Sequence, residues 1–270
     1  MAHPKIAPES LSRKGVELLS PLRPSSFEEG WYDIAEPDHF WLQWRLQVLL
    51  NALEDAGLSV DAPLRALDIG GGRGVLRTQL ETRSSWTVDM ADLDAGALLG
   101  CVPGRGRTLY YDALDRNASL VGSYDAVFLF DVLEHIAETK GFLRAALDHV
   151  KPGGRLFINV PALASCFSPF DRVVGHLRRY DRTSLGGELD GLGLDEIDSR
   201  YWGLTLLPAL IARAALLRLK TDDRSILEAG FRPPGPIAHR LLKTTMRLET
   251  LLIKRPPLGT SVMLSARRPP

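Results

Sequence analysis

Residues 66–76 read ALDIGGGRGVL, a short apolar run with an acid near its tip, Asp68, and then glycines at every second position, Gly70, Gly72 and Gly74. An apolar run that breaks into a glycine-rich turn and resumes as VLRTQLET predicts a buried strand followed by a helix. Glycine in such a turn lets the backbone approach a ligand closely, and the helix start points its free amides at it. The turn therefore predicts a nucleotide-type site. The dinucleotide fingerprint GxGxxG/A needs Gly or Ala at its third position, and counting from Gly70 and Gly72 places Val75 there, which speaks against NAD.

Working outward, strand-like and helix-like stretches alternate from Leu64 onward: LRALDIG, VLRTQLET, SWTVDMADL, DAGALLG, RTLYYD, YDAVFLF, a helix through His149, then GRLFINV. Such alternation predicts an α/β fold, a parallel sheet with helices on its faces. Upstream, residues 31–53 hold Phe40, Trp44, Gln47 and Val48 at helical spacing behind Pro37, with an aromatic cluster at the start. Downstream, a helix near 183–189 and a strand near 195–201 precede a helical, proline-broken stretch, and TSVMLSARR closes the chain as a strand. The organisation read from this is a tail and helical lid over 1–60, a ligand-binding core over 61–201, a helical cap inserted over 202–258, and a final strand and tail over 259–270.

With 270 residues, 45% of them hydrophobic, the chain can bury a full core, and its formal charge of zero without long like-charged blocks excludes a nucleic-acid footprint. Its two cysteines, Cys101 and Cys166, form no framework and no CxxC pair, which fits a reducing compartment. The start, MAHPKIAPESLSRKG, lacks a basic-then-apolar secretory profile, so a cytoplasmic location is expected. The most apolar stretch, residues 203–219, is cut by Pro208 and carries Arg213 and Arg218, and so falls short of a transmembrane span.

The pattern DxGxGxG beginning at Asp68 resembles motif I of class I S-adenosylmethionine-dependent methyltransferases, and the stretch SYDAVFLFDVLEHIAETKGFLRAALDHVKPGGRLFINVPAL resembles the fourth strand, DVLEH segment, helix and PGG turn of their small-molecule branch. The resemblance is strong over 64–161. It implies a Rossmann-like class I methyltransferase fold with a seven-stranded, mostly parallel sheet, helices on both faces, an N-terminal helical lid and a helical insertion before the last strand. It implies S-adenosylmethionine as cofactor, held by Asp68, the three glycines and Asp131. An acid ending the second strand would take both ribose hydroxyls. Asp92 is preferred to Asp89 because DLDAGAL is similar to the family's acid, apolar residue and short helix, with Leu93 on the adenine face. Asp112 would accept from the adenine amino group beside the Ala113 amide; a turn-capping Asp112 is the alternative. FDVLEH stands where enzymes that methylate nucleobase amines carry an NPPY-like segment, so a small-molecule acceptor is expected.

Ligands of open parallel sheets lie beyond the carboxyl ends of the strands. The loops there hold Asp131, Glu134 and His135, and then SPFDRVVGHLRRY at 168–180. The second loop resembles a bacterial methyltransferase subgroup with a GHxRRY segment, as do HFW near Asp38 and PPLGTS near the C-terminus. His135 and His176 are the histidines placed to take a proton from a substrate hydroxyl at neutral pH. Arg178, Arg179 and Tyr180 would grip an acceptor carboxylate or phosphate, or else pin their loop to the sheet. The aromatics from Trp31 to Trp44, with Trp31 and His39 against the acceptor, would close over cofactor and substrate, or else pack in the core. The spacing Asp131-x-x-Glu134-His135 is similar to the ExxEH segment of ubiquinone-pathway O-methyltransferases and plant small-RNA methyltransferases, where acids and histidine hold a divalent ion, with His176 as a later ligand. The first acid is Asp here and DVLEH is widespread without metal, so no metal is the expectation and this set the alternative. The reaction expected is methyl transfer to an acceptor oxygen, with carbon or nitrogen methylation, or cofactor binding without chemistry, as alternatives. The cap carries apolar faces beside Arg213, Arg218, Lys220, Arg240, Lys243 and Lys254, a surface suited to burial on the sheet, to a homodimer, to a greasy substrate or to a membrane interface.

Overall fold

A computed structural model describes residues 7–23, 37–220, 222–231 and 235–270. The opening stretch forms strand β2 (Arg65–Ile69), the glycine turn and helix α3 (Val75–Arg83). Strand β3 (Thr87–Asp92), helix α4 (Ala95–Leu99) and strand β4 (Thr108–Tyr110) follow on one side. The chain then crosses to β5 (Tyr124–Phe130), α5 (Thr139–His149), β6 (Val150–Pro161), the short helices α6 (Pro169–Val173) and α7 (Arg182–Glu188), and β7 (Asp195–Trp202). Helices α8 (Leu207–Leu217), α9 (Asp223–Phe231) and α10 (Pro236–Leu252) make the cap, and β8 (Ser261–Arg267) returns to the sheet. At the other end lie α1 (Pro8–Arg13), β1 (Val16–Leu18) and α2 (Phe40–Asp55).

The strand order is β1-β4-β3-β2-β5-β6-β8-β7, parallel throughout except for β8, which runs antiparallel to both neighbours. The seven-stranded expectation thus needs one correction: eight strands pair among the described residues. Val16–Leu18 adds to the edge strand β4 in register with Thr108–Tyr110, and Leu11 and Val16 close an apolar cluster with Met90, Leu98 and Tyr110.

Side chains alternate along each strand, so both faces need cover. Leu67, Ile69, Val127, Leu129, Leu156 and Ile158 point to the face covered by α5 and α7. Ala66, Val88, Ala126, Phe128, Phe157 and Met263 point to the face covered by α2, α3 and, through Met246, α10. The chain leaves β2 toward β3 on one side and returns to β5 on the other. That reversal opens a crevice beyond the carboxyl ends of β2 and β5.

The cap is tied down by one buried acid. Glu249 of α10 accepts from the amides of Gly203, Leu204 and Thr205 at 2.9, 3.0 and 2.8 Å and from the Thr205 hydroxyl at 2.8 Å. No helix among the described residues is long and apolar enough to cross a membrane.

Asp89 has a structural environment. It is buried in β3 and accepts from the Tyr124 hydroxyl at 2.8 Å and from Arg107 and Arg65 at 3.0 and 3.2 Å. Asp89→Ala is expected to lower unfolding stability in urea by about 1.5–3 kcal/mol, the scale for hydrogen bonds to a charged group. Cofactor affinity measured by calorimetry on the same variant should stay at the wild-type value.

Candidate active site

The crevice holds a cavity of about 590 Å3 walled by the glycine turn, the ends of β3, β4 and β5, and the loop after β6. Gly70, Gly72 and Gly74 all adopt left-handed backbone, with φ of 78°, 56° and 79°. At Gly70 a Cβ would also collide with Val132. The amides of Gly70 and Gly71 donate to Ala91 O at 2.8 and 3.2 Å, which presses the turn against β3. The result is a cradle of bare backbone facing the cavity.

Asp92 ends β3 in the cavity wall. One carboxylate oxygen accepts from the Gly72 amide and the other from the Asp94 amide, each at 2.7 Å. Burial raises its pKa against the pull of these amides. Leu93 is 37% exposed beside it, and Asp94 caps α4 by accepting from Gly96 and Ala97. Asp112 caps the turn after β4 through the Leu114 amide at 3.0 Å and also meets Arg23 at 2.8 Å; it and Ala113 line the cavity. Lining the cavity and capping the turn thus coexist.

Asp68 is buried beneath the turn. Burial, with Asp92 and Asp131 nearby, pushes its carboxyl up to about 7, against the pull of Arg45 and Arg77. Arg45 stands among these acids. This α2 residue meets Asp131 at 2.5 Å and lies between the rings of Trp41 and Phe130, 5.3 and 5.2 Å from their centres. Asp131 itself holds a positive φ of 59°, and its second oxygen accepts from Asn159 at 2.9 Å.

A second cluster adjoins the first. Glu134 is fully buried and neither of its carboxylate oxygens finds a hydrogen bond among the described residues. Burial, reinforced by Asp131, raises its pKa well above the ordinary range. His135 lines the cavity, contacts Gly175 O at 3.2 Å through Nδ1 and packs edge-on against His176 at 4.8 Å. Burial and His176 lower its pKa to about 4. The Nδ1 of His176 donates to Asp171 at 3.0 Å, leaving Nε2 free to accept, 3.9 Å from Glu134. Burial works against the Asp171 charge, but hydrogen bonds from His176 and Arg179 hold its carboxyl below the usual range.

Ligand atoms of Glu134, His135 and His176 lie within 4.8 Å of one another. An unsatisfied buried carboxylate beside two imidazoles, one oriented by an outer carboxylate, fits a divalent ion. Asp131 does not complete the set, because both its oxygens are taken by Arg45 and Asn159.

The gripping role of Arg178, Arg179 and Tyr180 requires correction. Arg178 donates to Ala137 O and faces Glu188; Arg179 donates to Asp171 and Ala162 O at 2.8 and 3.1 Å; Tyr180 is buried and bridges to Ala162. None lines the cavity, and together they pin the loop to the sheet. His39 also faces elsewhere: it starts α2 and packs against Phe40 and His239, where burial and the neighbouring His239 lower its pKa to about 4. Trp31 lies outside the described residues.

Residues 41–199 match a family model described as a methyltransferase domain. The chain belongs to this methyltransferase family. Similar curated relatives include ubiquinone biosynthesis O-methyltransferases from Xanthomonas axonopodis pv. citri, 30% identical over 137 residues, and from Marinobacter nauticus, 32% identical over 102 residues. These alignments take in 48% and 35% of this chain and 55% and 43% of the relatives, so the chain spans about half the length of the curated relatives it matches. Among solved structures, a Haemonchus contortus phosphoethanolamine N-methyltransferase with S-adenosylhomocysteine superposes with a TM-score of 0.53 at 18% identity, covering 85% of this chain and 54% of that one. The [4+2]-cyclase SpnF superposes with a TM-score of 0.52 at 18% identity, over 85% of this chain and 83% of that one. These likenesses concern the fold.

Two residues of this candidate site carry little signal in the sequence. Arg45 carries a signal, a lone cation within the apolar run WLQWRLQVLL. Asp171 carries a weaker one, an acid within the loop that also supplies His176 and Arg179.

The Glu134 environment makes a testable statement about pH. Its folded pKa is raised, so the folded state binds more protons and stability falls as pH rises above the unfolded value. With divalent ions chelated, Glu134→Gln should be more stable than the wild type at pH 8 by about 1–3 kcal/mol, the scale for an unsatisfied buried group. In urea titrations that gain should shrink as pH falls toward the ordinary glutamate range. A variant less stable at every pH would contradict an unpaired carboxylate.

Proposed function

We propose that this chain is an S-adenosylmethionine-dependent methyltransferase that methylates a hydroxyl oxygen of a small-molecule acceptor in the cytoplasm. The observation that carries the reading is the shared cavity: a glycine cradle and Asp92 at one end, and His135, beside His176 and Glu134, at the other. The oxygen acceptor is favoured by the relatives named as O-methyltransferases. The cyclase neighbour shows why fold alone does not decide the chemistry.

Gly70 to Gly72 leave room for the cofactor against the backbone, and Asp92 would accept from its ribose hydroxyls. Asp112, Ala113 and Leu93 face the adenine end. Arg45, Asp68 and Asp131 also line the cavity, with Arg45 paired to Asp131. When bound, S-adenosylmethionine presents an electrophilic methyl on a sulfonium. The chain's share of the reaction is to orient the acceptor, exclude water and receive its proton, by positioning and general base catalysis. His176 does not itself line the cavity but packs against His135, which does; it suits the base in that Asp171 holds the proton on Nδ1, so Nε2 is the accepting atom. His135, its pKa lowered to about 4 by burial and His176, stays neutral.

A second reading is favoured by Glu134. Glu134, His135 and His176 would hold a divalent ion, which when bound would acidify an acceptor hydroxyl.

Asp92→Ala is expected to weaken S-adenosylhomocysteine binding by about 1.5–3 kcal/mol, the scale for charge-assisted hydrogen bonds. Calorimetry that instead finds NAD bound and S-adenosylhomocysteine not bound would overturn the cofactor reading. For the chemistry, His176→Ala should lower turnover of labelled cofactor with cell extract by about two to four orders of magnitude while cofactor affinity holds. In the metal reading, Glu134→Gln, His135→Ala and His176→Ala show similar losses, and chelator abolishes wild-type activity that a divalent ion restores. An active, chelator-insensitive His176→Ala enzyme would reject both roles. NMR of the product identifies the methylated atom.

A further inference from the structure

We infer that the outer face of α10 forms a docking surface for an anionic lipid bilayer, a property beyond the proposed chemistry. Helix α10 has two apolar faces. At about 100° per residue, Leu242 and Met246 fall on the side turned toward the rest of the molecule, while Ile237, Leu241, Leu248 and Leu252 fall on the opposite side. Ile237 is 87% exposed and Leu252 74% exposed, values that exclude a role in the core. Helix α8 repeats the pattern: Ile211, Leu216 and, just beyond its end, Leu219 are exposed, and no acid occurs in its sequence LPALIARAALL.

Charge selects the partner. Arg240 and Arg247 run along one flank of the exposed leucine stripe, while the half-buried Lys243 sits further round toward His39. The acid of α10, Glu249, is buried on the amides of residues 203–205 and offers no charge to the surface. A second copy docked about a two-fold axis on this face would bring the cationic flanks together with no acid of α8 or α10 between them. A leucine stripe edged by cations suits a negatively charged bilayer, with the helix lying in the interface and its leucines below the headgroups. Helix α8 for its part adjoins the cavity wall: it packs on α6, with Arg213 stacked 4.3 Å from the Phe170 ring, and Val173 at the end of α6 lines the cavity.

The test is flotation of the full chain with large unilamellar vesicles of phosphatidylcholine alone, or with about one-third phosphatidylglycerol. Wild-type protein should float with the anionic vesicles, and less so as salt rises. Leu248→Glu/Leu252→Glu should lose partitioning by about two orders of magnitude, and Arg240→Gln/Arg247→Gln by about fivefold per cation removed. Both variants should keep the wild-type urea midpoint and S-adenosylhomocysteine affinity, which separates loss of docking from loss of fold. Three results would overturn the inference: no flotation of the wild type, undiminished flotation of the leucine variant, or a wild-type dimer in gel filtration that the leucine variant converts to monomer. A protein that floats but binds no S-adenosylhomocysteine would defeat the cofactor reading and leave the docking surface standing.

Discussion

The ion pair between Arg45 and Asp131 is the contact on which the site depends. Asp131 sits at the carboxyl end of β5 with φ of 59°, a conformation that non-glycine residues adopt at a cost and keep only where their surroundings hold them. Here the surroundings are explicit. One oxygen is bound by Arg45 of α2, the other by Asn159 of β6, and Asn159 in turn accepts from the Trp202 indole at 2.9 Å. One carboxylate thereby joins the N-terminal helix, two central strands and the residue at which the cap departs.

The same pair manages an electrostatic conflict. Asp68, Asp92 and Asp131 converge on the cavity, and burial raises the pKa of all three. Arg45 opposes that shift at Asp68 and Asp131, while amides of Gly72 and Asp94 do so at Asp92. At Glu134 the Arg179 charge opposes the shift from a distance, but neither carboxylate oxygen finds a hydrogen bond among the described residues.

Much of this was legible in the sequence because backbone demands leave local marks. The turn at Gly70 needs a residue without a side chain, and DLDAGAL marks an acid, an apolar residue and a capped helix in order. Side-chain partnerships leave no such mark. The RRY run at 178–180 reads equally well as a substrate grip or a loop anchor, and the deciding neighbours, Asp171, Ala162 and Glu188, lie at varied separations along the chain. Arg45 meets Asp131 only through tertiary packing across 86 positions. Strand β1 is silent for a different reason: a three-residue run that pairs at a sheet edge has no periodicity.

The point where the cap leaves the sheet has one more implication. Trp202 at the end of β7 and Ser261 at the start of β8 are directly paired, so the inserted helices begin and end at adjacent positions on neighbouring strands. Gly259 lies so close to the Trp202 backbone that no side chain would fit between the two crossings. An insertion with touching ends imposes almost no spacing requirement on what it contains. Evolution can lengthen, shorten or exchange those helices as a cassette while the strands beneath keep their register, which lets the ancestry of the cap differ from that of the sheet that carries it.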